Sequence, residues 1–197
     1  MAGESDAHPI ATVDDLLRIP EGERFHELIG GEIVRKATPT GEHGDAQSAI
    51  VARLKGPYQR RPGGRHPGGW WIFTEVEVEV APGEVYRPDA VGWRRARAPE
   101  RPVGTPIRVV PDWVCEVLSP SNARVDTVSK LRVYHRAGVS HYWVVDPREE
   151  TLTVLRHAAE GYLLAQKAAR GETLRPEPFG EIELPVGVLF GDDPDDE

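Results

Sequence analysis

Hydrophobic and polar positions alternate along the chain in short segments that predict a mixed α/β fold. The clearest alternation spans Ile72–Val80, where valines and glutamates take turns, and it predicts one strand with an apolar and an acidic face. After a turn at Ala81–Gly83, residues 85–93 predict a returning strand, with Pro88 at an edge or a bulge. The nearly continuous apolar run Trp113–Leu118 instead predicts a central strand that is buried on both faces.

Helical signals lie around these strands. Thr12 and Asp15 form a capping-box pattern before a short helix, and a longer helix follows Thr40 and ends near Gly56–Pro57. A third helix links the central strand to the apolar run 139–145, with its cap in residues 119–122. Its apolar stripe comprises Val125, Val128, Leu131, Val133 and Tyr134. This strand–helix–strand unit predicts two parallel strands in a mixed sheet with a helix on each face.

Further hairpins are expected near both ends of the chain. Two apolar runs flank Gly30–Gly31, and a second pair, 151–156 and 162–166, flanks Glu160–Gly161. Two more short strands are predicted near 182–184 and 188–190. We therefore expect a flexible N-terminus (1–11), a single domain (12–190) and a disordered acidic tail (191–197).

Composition narrows the class of protein. The net charge of −8 argues against a generally basic nucleic-acid binder, but residues 53–108 carry more basic than acidic side chains. The single cysteine allows no internal disulfide, and no apolar run is long enough to span a bilayer, so we expect a soluble, cytoplasmic protein without a membrane partner. Seven arginines in two loops are either solvated charges or candidate DNA phosphate contacts: Arg60, Arg61, Arg65, Arg94, Arg95, Arg97 and Arg101.

Three charged residues stand where an apolar or neutral residue is usual. Glu116 interrupts the central strand, and burying a carboxylate is costly unless it is paired, hydrogen-bonded or bound to a metal. Asp89 follows Pro88 inside a strand, which indicates a turn, a bulge or a functional site. Lys130 lies four residues after Asp126 on the third helix, so a surface ion pair is the simpler interpretation. A strand-end glutamate that accepts backbone N–H groups is the corresponding alternative for Glu116.

Taken together, these residues form a pattern with chemical meaning. Two converging carboxylates, Asp89 and Glu116, are the hard oxygen ligands that Mg²⁺ prefers. A neighbouring Lys130 can orient a water molecule or stabilise charge on a phosphoryl group. The sequence thus predicts a Mg²⁺ (or Mn²⁺) site with a catalytic lysine.

The same segments resemble the Uma2 family of restriction-endonuclease-like proteins, formerly a domain of unknown function, in the PD-(D/E)XK nuclease superfamily. The resemblance covers about residues 12–190. It is carried by Arg87-Pro88-Asp89, Pro111–Ser121, Asp126, Lys130, Tyr134, Ala137-Gly138-Val139 and Tyr142–Pro147, with Glu27–Glu32 and Glu42-His43 matching the N-terminal part. It implies a restriction-endonuclease-like fold and Mg²⁺-dependent hydrolysis of DNA.

Residue by residue, the resemblance assigns metal binding to Asp89 and Glu116. The superfamily lysine would fall at Leu118, and in sequences of this family its role moves to the helix, here Lys130. Glu27 and His43 match positions that can complete a metal or phosphate site, and the alternative for His43 is a residue in a helix N-terminus capped by Thr40. Superfamily nucleases that cut both strands often pair, which is compatible with a homodimer. The alternatives are a non-catalytic interaction module with the nuclease fold and a metal-dependent hydrolase of another substrate.

Overall fold

Two sheets dominate the computed structural model, which describes residues 10–120 and 123–193. The helices are α1 (Val13–Leu17), α2 (Gly41–Tyr58) and α3 (Leu131–Arg136), with the π-helical turn Val125–Lys130 leading into α3. The first strands are β1 (His26–Ile29), β2 (Glu32–Arg35), β3 (Trp70–Phe73), β4 (Val78–Ala81), β5 (Glu84–Tyr86) and β6 (Ala90–Arg94). The remaining strands are β7 (Trp113–Val117), β8 (His141–Asp146), β9 (Thr151–Ala158), β10 (Gly161–Ala169), β11 (Thr173–Leu174) and β12 (Leu184–Pro185).

The central sheet has six strands in the order β10-β9-β8-β7-β6-β3. β7 and β8 are parallel and the other neighbours are antiparallel, so the predicted mixed sheet is confirmed. Every residue of β7 is buried, as expected for a strand covered on both faces. The π-helical turn and α3 supply the crossover that two parallel strands require.

The two helices of the core lie on opposite faces of this sheet. Ala46, Ile50 and Leu54 of α2 belong to the same buried cluster as Trp113 and Cys115. Tyr134 of α3 packs in the cluster that contains Val114 and Tyr142. Because successive strand residues point to opposite faces, this division follows directly from the alternation along β7.

The expectation of one continuous strand over residues 72–80 is wrong. Glu75 has a positive φ of 54°, which an extended strand does not accommodate, and its N–H donates to the carbonyl of Pro88 at 3.1 Å. The predicted returning strand breaks opposite this point, at Arg87–Asp89. One half of the hairpin, β3 and β6, therefore joins the central sheet, and the other half, β4 and β5, joins the sheet β2-β1-β5-β4. Because the chain switches sheets here, Asp89 lies in the bend directly before β6.

The predicted apolar stripe of the third helix also needs correction. Val128 is 39% exposed, whereas Asp126 and Lys130 are 3% and 2% exposed. The π-helical turn widens the helix here, so Asp126 and Lys130 join Tyr134 on the face that meets the sheet, while Leu131 and Val133 of the expected stripe are partly buried there. Lys130, for which a surface ion pair was the simpler interpretation, is therefore buried.

The chain termini differ in smaller ways. Residues 188–190, expected as a strand, lie in a 3₁₀ helix, Val186–Phe190, while the predicted short strand just before it is β12. The predicted cap at residues 121 and 122, the N-terminus before residue 10 and the tail from 194 lie outside the described residues. In the described part of the chain, no helix is long and apolar enough to cross a membrane.

Candidate active site

Asp89 and Glu116 face each other across neighbouring strands. β6 and β7 pair with Ala90 opposite Cys115, which sets Asp89 opposite Glu116. Asp89 Oδ2 accepts a hydrogen bond from the N–H of Val117 at 2.7 Å, and Glu116 Oε2 accepts a long one from the N–H of Asp89 at 3.4 Å. Both carboxylates are buried, and both line a narrow cleft of about 10 Å³. The convergence expected from the sequence is thus present in the structure.

Lys130 contacts Oε1 of Glu116, whereas the Asp89 N–H contacts Oε2. Its Nζ is 3.2 Å from Glu116 Oε1, 2.9 Å from both oxygens of Glu27, and 3.1 Å from Asp126 Oδ1. The pair with Asp126 is close but is not aligned as a hydrogen bond, and in the described part of the chain Asp126 Oδ1 is a buried oxygen without a hydrogen-bond donor. The i,i+4 pair considered from the sequence therefore exists, but inside the protein rather than on its surface.

Glu27 and His43 both lie at this cluster. Glu27 of β1 accepts from the N–H of Arg87 at 2.7 Å in addition to its bond with Lys130. His43 has its backbone N–H capped by Thr40, and its ring Nε2 lies 3.2 Å from Asp89 Oδ2. The backbone of His43 therefore serves the helix cap while its ring contacts the Asp89 carboxylate, and its part in a metal or phosphate site stays a prediction.

A second lysine, Lys36, was not predicted. Its Nζ donates to Glu75 Oε1 and Asp89 Oδ1 at 2.8 Å and to the carbonyl of Arg87 at 2.7 Å. Its side chain is 13% exposed, so it is more accessible than Lys130. Gln47 completes this side of the site by donating to Glu75 Oε1 and to the carbonyl of Asp89. The sequence pattern singles out neither residue, because Lys36 follows a short strand and Glu75 belongs to the alternation Ile72–Val80, where it resembles Glu77 and Glu79.

Tyr134 was noted in the sequence as part of the apolar stripe and of the family resemblance, without a role of its own. Its hydroxyl donates to Glu116 Oε1 at 3.0 Å, on the same oxygen that faces Lys130. The spacing Asp126, Lys130 and Tyr134, each four residues from the next, was the available signal for a polar face on this helix.

The cluster holds more negative than positive charge. Five carboxylates surround the ammonium groups of Lys36 and Lys130: Glu27, Glu75, Asp89, Glu116 and Asp126. Burial raises the pKa of Glu116 well above its usual range, and the neighbouring Asp126 and Asp89 add to the shift against the opposing effect of Lys130. Burial likewise raises the pKa of Asp126.

For Asp89 and Lys130, neighbouring charged groups outweigh the effect of burial on the pKa. Burial alone would raise the pKa of Asp89, but the hydrogen bond from His43 and the charge of Lys36 hold it well below its usual range. Burial would lower the pKa of Lys130, but Glu116, Glu27 and Asp126 raise it well above its usual range. The site thus contains one firmly ionised carboxylate beside another that burial disfavours as an anion.

These residues fit a divalent cation by charge and by donor type. Among residues 10–120 and 123–193, no three His, Cys, Asp or Glu side chains are already arranged around a common metal position. Three oxygens nevertheless converge on the ammonium of Lys36 at 2.7–2.8 Å, and carboxylate oxygens converge on that of Lys130. Oxygen groups of this kind are the ligands that Mg²⁺ and Mn²⁺ prefer, and the excess negative charge favours an added cation.

The arginines proposed for DNA binding lie away from the carboxylates. Arg94 is at the opposite end of β6 from Asp89, about 16 Å along the strand at roughly 3.3 Å per residue. Arg94 and Arg95 lie over the rings of Trp70 and Trp71, and Arg97 pairs with Asp112. Arg60, Arg61 and Arg65 follow the C-terminal end of α2, whereas His43 lies in its first turn. Arg101 lies over the ring of Phe73. The structure does not bring this group together with the candidate site, and its contact with DNA stays a prediction.

Comparison with known proteins gives a family and a fold. The family model Uma2, described as "putative restriction endonuclease", matches residues 13–187. A crystal structure described as a "putative nuclease belonging to DUF820" from Anabaena variabilis ATCC 29413 superposes with a TM-score of 0.71. It is 24% identical in sequence, and the alignment covers 91% of this chain and 97% of that one. A search of curated proteins found no match.

Proposed function

The chain belongs to the Uma2 family, and from that premise we propose that it is a metal-dependent endonuclease that hydrolyses phosphodiester bonds in DNA. The observation that carries the proposal is the meeting of Asp89 and Glu116 on adjacent strands, with Lys130 against Glu116. The nuclease-like fold of the whole domain supports it.

Asp89 and Glu116 are the residues that would hold the cation. Among residues 10–120 and 123–193, Glu116 Oε2 has only the long contact with the Asp89 N–H, so this oxygen can accept a further ligand at little cost. Bound Mg²⁺ or Mn²⁺ would supply positive charge for the phosphoryl oxygens and lower the pKa of a coordinated water. A buried position strengthens such electrostatic effects, because little water competes with the charges.

Neighbouring residues orient the carboxylate of Glu116 and favour the ionised form of Asp89. His43 and Lys36 keep Asp89 ionised and acidic, so its oxygens remain ligands rather than proton donors. Lys130 and Tyr134 hold Glu116 Oε1, which leaves Oε2 directed away from them. Glu27 and Asp126 in turn fix the ammonium of Lys130.

The two lysines have different access to a substrate. Lys130 is fully buried, whereas Lys36 is partly exposed and lines the cleft on its outer side. In our proposal Lys130 stabilises charge on the reacting phosphoryl group from the buried side of the site. When DNA enters, Lys36 gives up its carboxylate contacts and binds a phosphate oxygen. A lysine ammonium suits this exchange because its three donors rotate freely.

The direct test is Mg²⁺-dependent cleavage of plasmid and single-stranded DNA by the purified protein, compared with the variant Asp89→Asn. The matched control is Glu183→Gln, which removes an exposed carboxylate paired with Arg175 on the surface. We expect cleavage by the wild type and the control, and at least a 100-fold loss in Asp89→Asn. Wild-type protein that cleaves neither substrate with Mg²⁺ or Mn²⁺ would refute the proposal and favour a non-catalytic module.

A further inference from the structure

A second, larger cleft opens beside the candidate active site. It has a volume of about 430 Å³ and shares the segment 36–39 and His43 with the smaller cleft. Since Lys36 and His43 both contact Asp89, at 2.8 and 3.2 Å, the large cleft begins one side chain away from the carboxylates. A substrate held at Asp89 therefore has this cleft next to it.

Phe25 supplies an aromatic surface in the large cleft. Its ring is 54% exposed although most phenylalanines are buried. The guanidinium of Arg87 lies over the ring, 5.4 Å from its centroid, and the carbonyl of Phe25 accepts from the N–H of Lys36 at 2.8 Å. Phe25 thus contacts Arg87 through its ring and Lys36 through its backbone, and both of these residues border the candidate active site.

The rest of the lining combines a few polar groups with small apolar ones. Arg35 is exposed and adds positive charge at the rim, Gln47 adds an amide, and Ala37 and Pro39 add apolar surface. Glu75 is the acidic residue of this lining, and its charge is compensated by Lys36. An aromatic platform, an amide and a cation are the groups with which proteins bind an unstacked nucleobase and its phosphate.

We infer that this cleft binds an unpaired nucleobase of a nucleic-acid strand, stacked on Phe25 and adjacent to the phosphate at the candidate active site. The inference rests on the proposed nuclease function and adds a substrate class to it, namely single-stranded or locally opened nucleic acid. A base within a duplex has both faces covered by its neighbours, so only an unpaired one can present a face to Phe25. The volume is sufficient, since ligand pockets commonly span about 300–1,000 Å³.

Binding can be measured without cleavage. Fluorescence anisotropy in EDTA would compare a labelled single-stranded DNA 12-mer, the same sequence in RNA, and the DNA duplex, for wild type and for Phe25→Ala. The matched control is Leu164→Ala, which removes another exposed apolar side chain, on β10 and outside the lining of this cleft. Phe25→Trp restores an aromatic surface and reports contact through its own fluorescence.

We expect Phe25→Ala to weaken single-strand binding by about tenfold, in line with the loss of one base–aromatic stack. Phe25→Trp should keep the wild-type affinity, its fluorescence should be quenched by the oligonucleotide, and Leu164→Ala should change nothing. The RNA arm decides whether the sugar contributes, since equal affinities would assign recognition to the base alone. Phe25→Ala with wild-type single-strand affinity, or a Phe25→Trp signal insensitive to the oligonucleotide, would overturn the inference.

The result is separable from the proposed function. If the wild type cleaves DNA but Phe25→Ala binds normally, the nuclease proposal stands and the base cleft is refuted. If no cleavage occurs but single-strand binding depends on Phe25, the base cleft stands and the catalytic proposal is refuted.

Discussion

Replacing Glu116 by glutamine should stabilise the protein while removing the metal site. The side chain is 1% exposed and lies among other carboxylates, and burial raises its pKa well above the ordinary 4.5. At pH 8 the folded protein therefore either holds Glu116 as a buried anion or keeps it protonated at a pH far above the pKa of an exposed glutamate. A neutral amide of nearly the same shape avoids both costs.

The magnitude follows from the contacts of Glu116. Taking a charged carboxylate out of water costs several kcal/mol even after relaxation, and the neutral glutamine avoids this cost. Against it, glutamine weakens two charge-assisted hydrogen bonds, from Lys130 at 3.2 Å and Tyr134 at 3.0 Å, by about 0.5–1 kcal/mol each. The bond from the Asp89 N–H is already long at 3.4 Å and contributes little. We expect a net gain of about 1–2 kcal/mol at pH 8, or roughly 2–8 °C in Tm for a chain of this size.

The pH dependence has a defined sign. Between pH 4.5 and its raised pKa, Glu116 binds more protons in the folded than in the unfolded state, so wild-type stability falls as pH rises. The glutamine variant lacks this titration. The advantage of Glu116→Gln should therefore be absent near pH 4.5 and grow towards pH 8.

The assay is urea unfolding in EDTA from pH 4.5 to 8, followed by tryptophan fluorescence, with Glu183→Gln as the surface control. A Glu116→Gln protein less stable than the wild type at pH 8, by an amount independent of pH, would refute the reasoning. It would show that Glu116 acts as a satisfied structural ion-pair partner of Lys130.

Further predictions concern neighbouring parts of the site. Mg²⁺ at about 100 times its Kd should raise the free energy of unfolding of the wild type by about 2.7 kcal/mol, and calorimetry should show this gain to be absent in Asp89→Asn. Lys130→Met should destabilise the protein by about 3–5 kcal/mol in denaturant unfolding, because it leaves three carboxylates buried without their cation; a change below 1 kcal/mol would contradict the burial of its charge. Glu75→Gly should be more stable than Glu75→Ala by about 1 kcal/mol, since both lose the contact with Lys36 but only glycine adopts a φ of 54° without strain; equal unfolding midpoints would place the strain elsewhere.

The sequence alone determined which strands form the centre of the fold. The buried run that becomes β7 and the unit that joins it to β8 are local patterns, and their parallel pairing follows from the length and hand of the crossover. Asp89 and Glu116 could be singled out because each is a carboxylate where an apolar or neutral residue is usual. Their identity as candidates needed no knowledge of contacts.

Only the tertiary structure decided what surrounds them. Residues 72–80 alternate like one strand, but a single positive φ at Glu75 divides them between two sheets, and hydrophobic periodicity carries no information about one such dihedral angle. That division brings Lys36 to Asp89, 53 residues along the chain, where neither has a local pattern that points to the other. The π-helical turn likewise leaves Val128 exposed and places Lys130 on the buried face. A buried lysine is stable only where several carboxylates already converge, and that convergence is a property of packed strands rather than of any one segment.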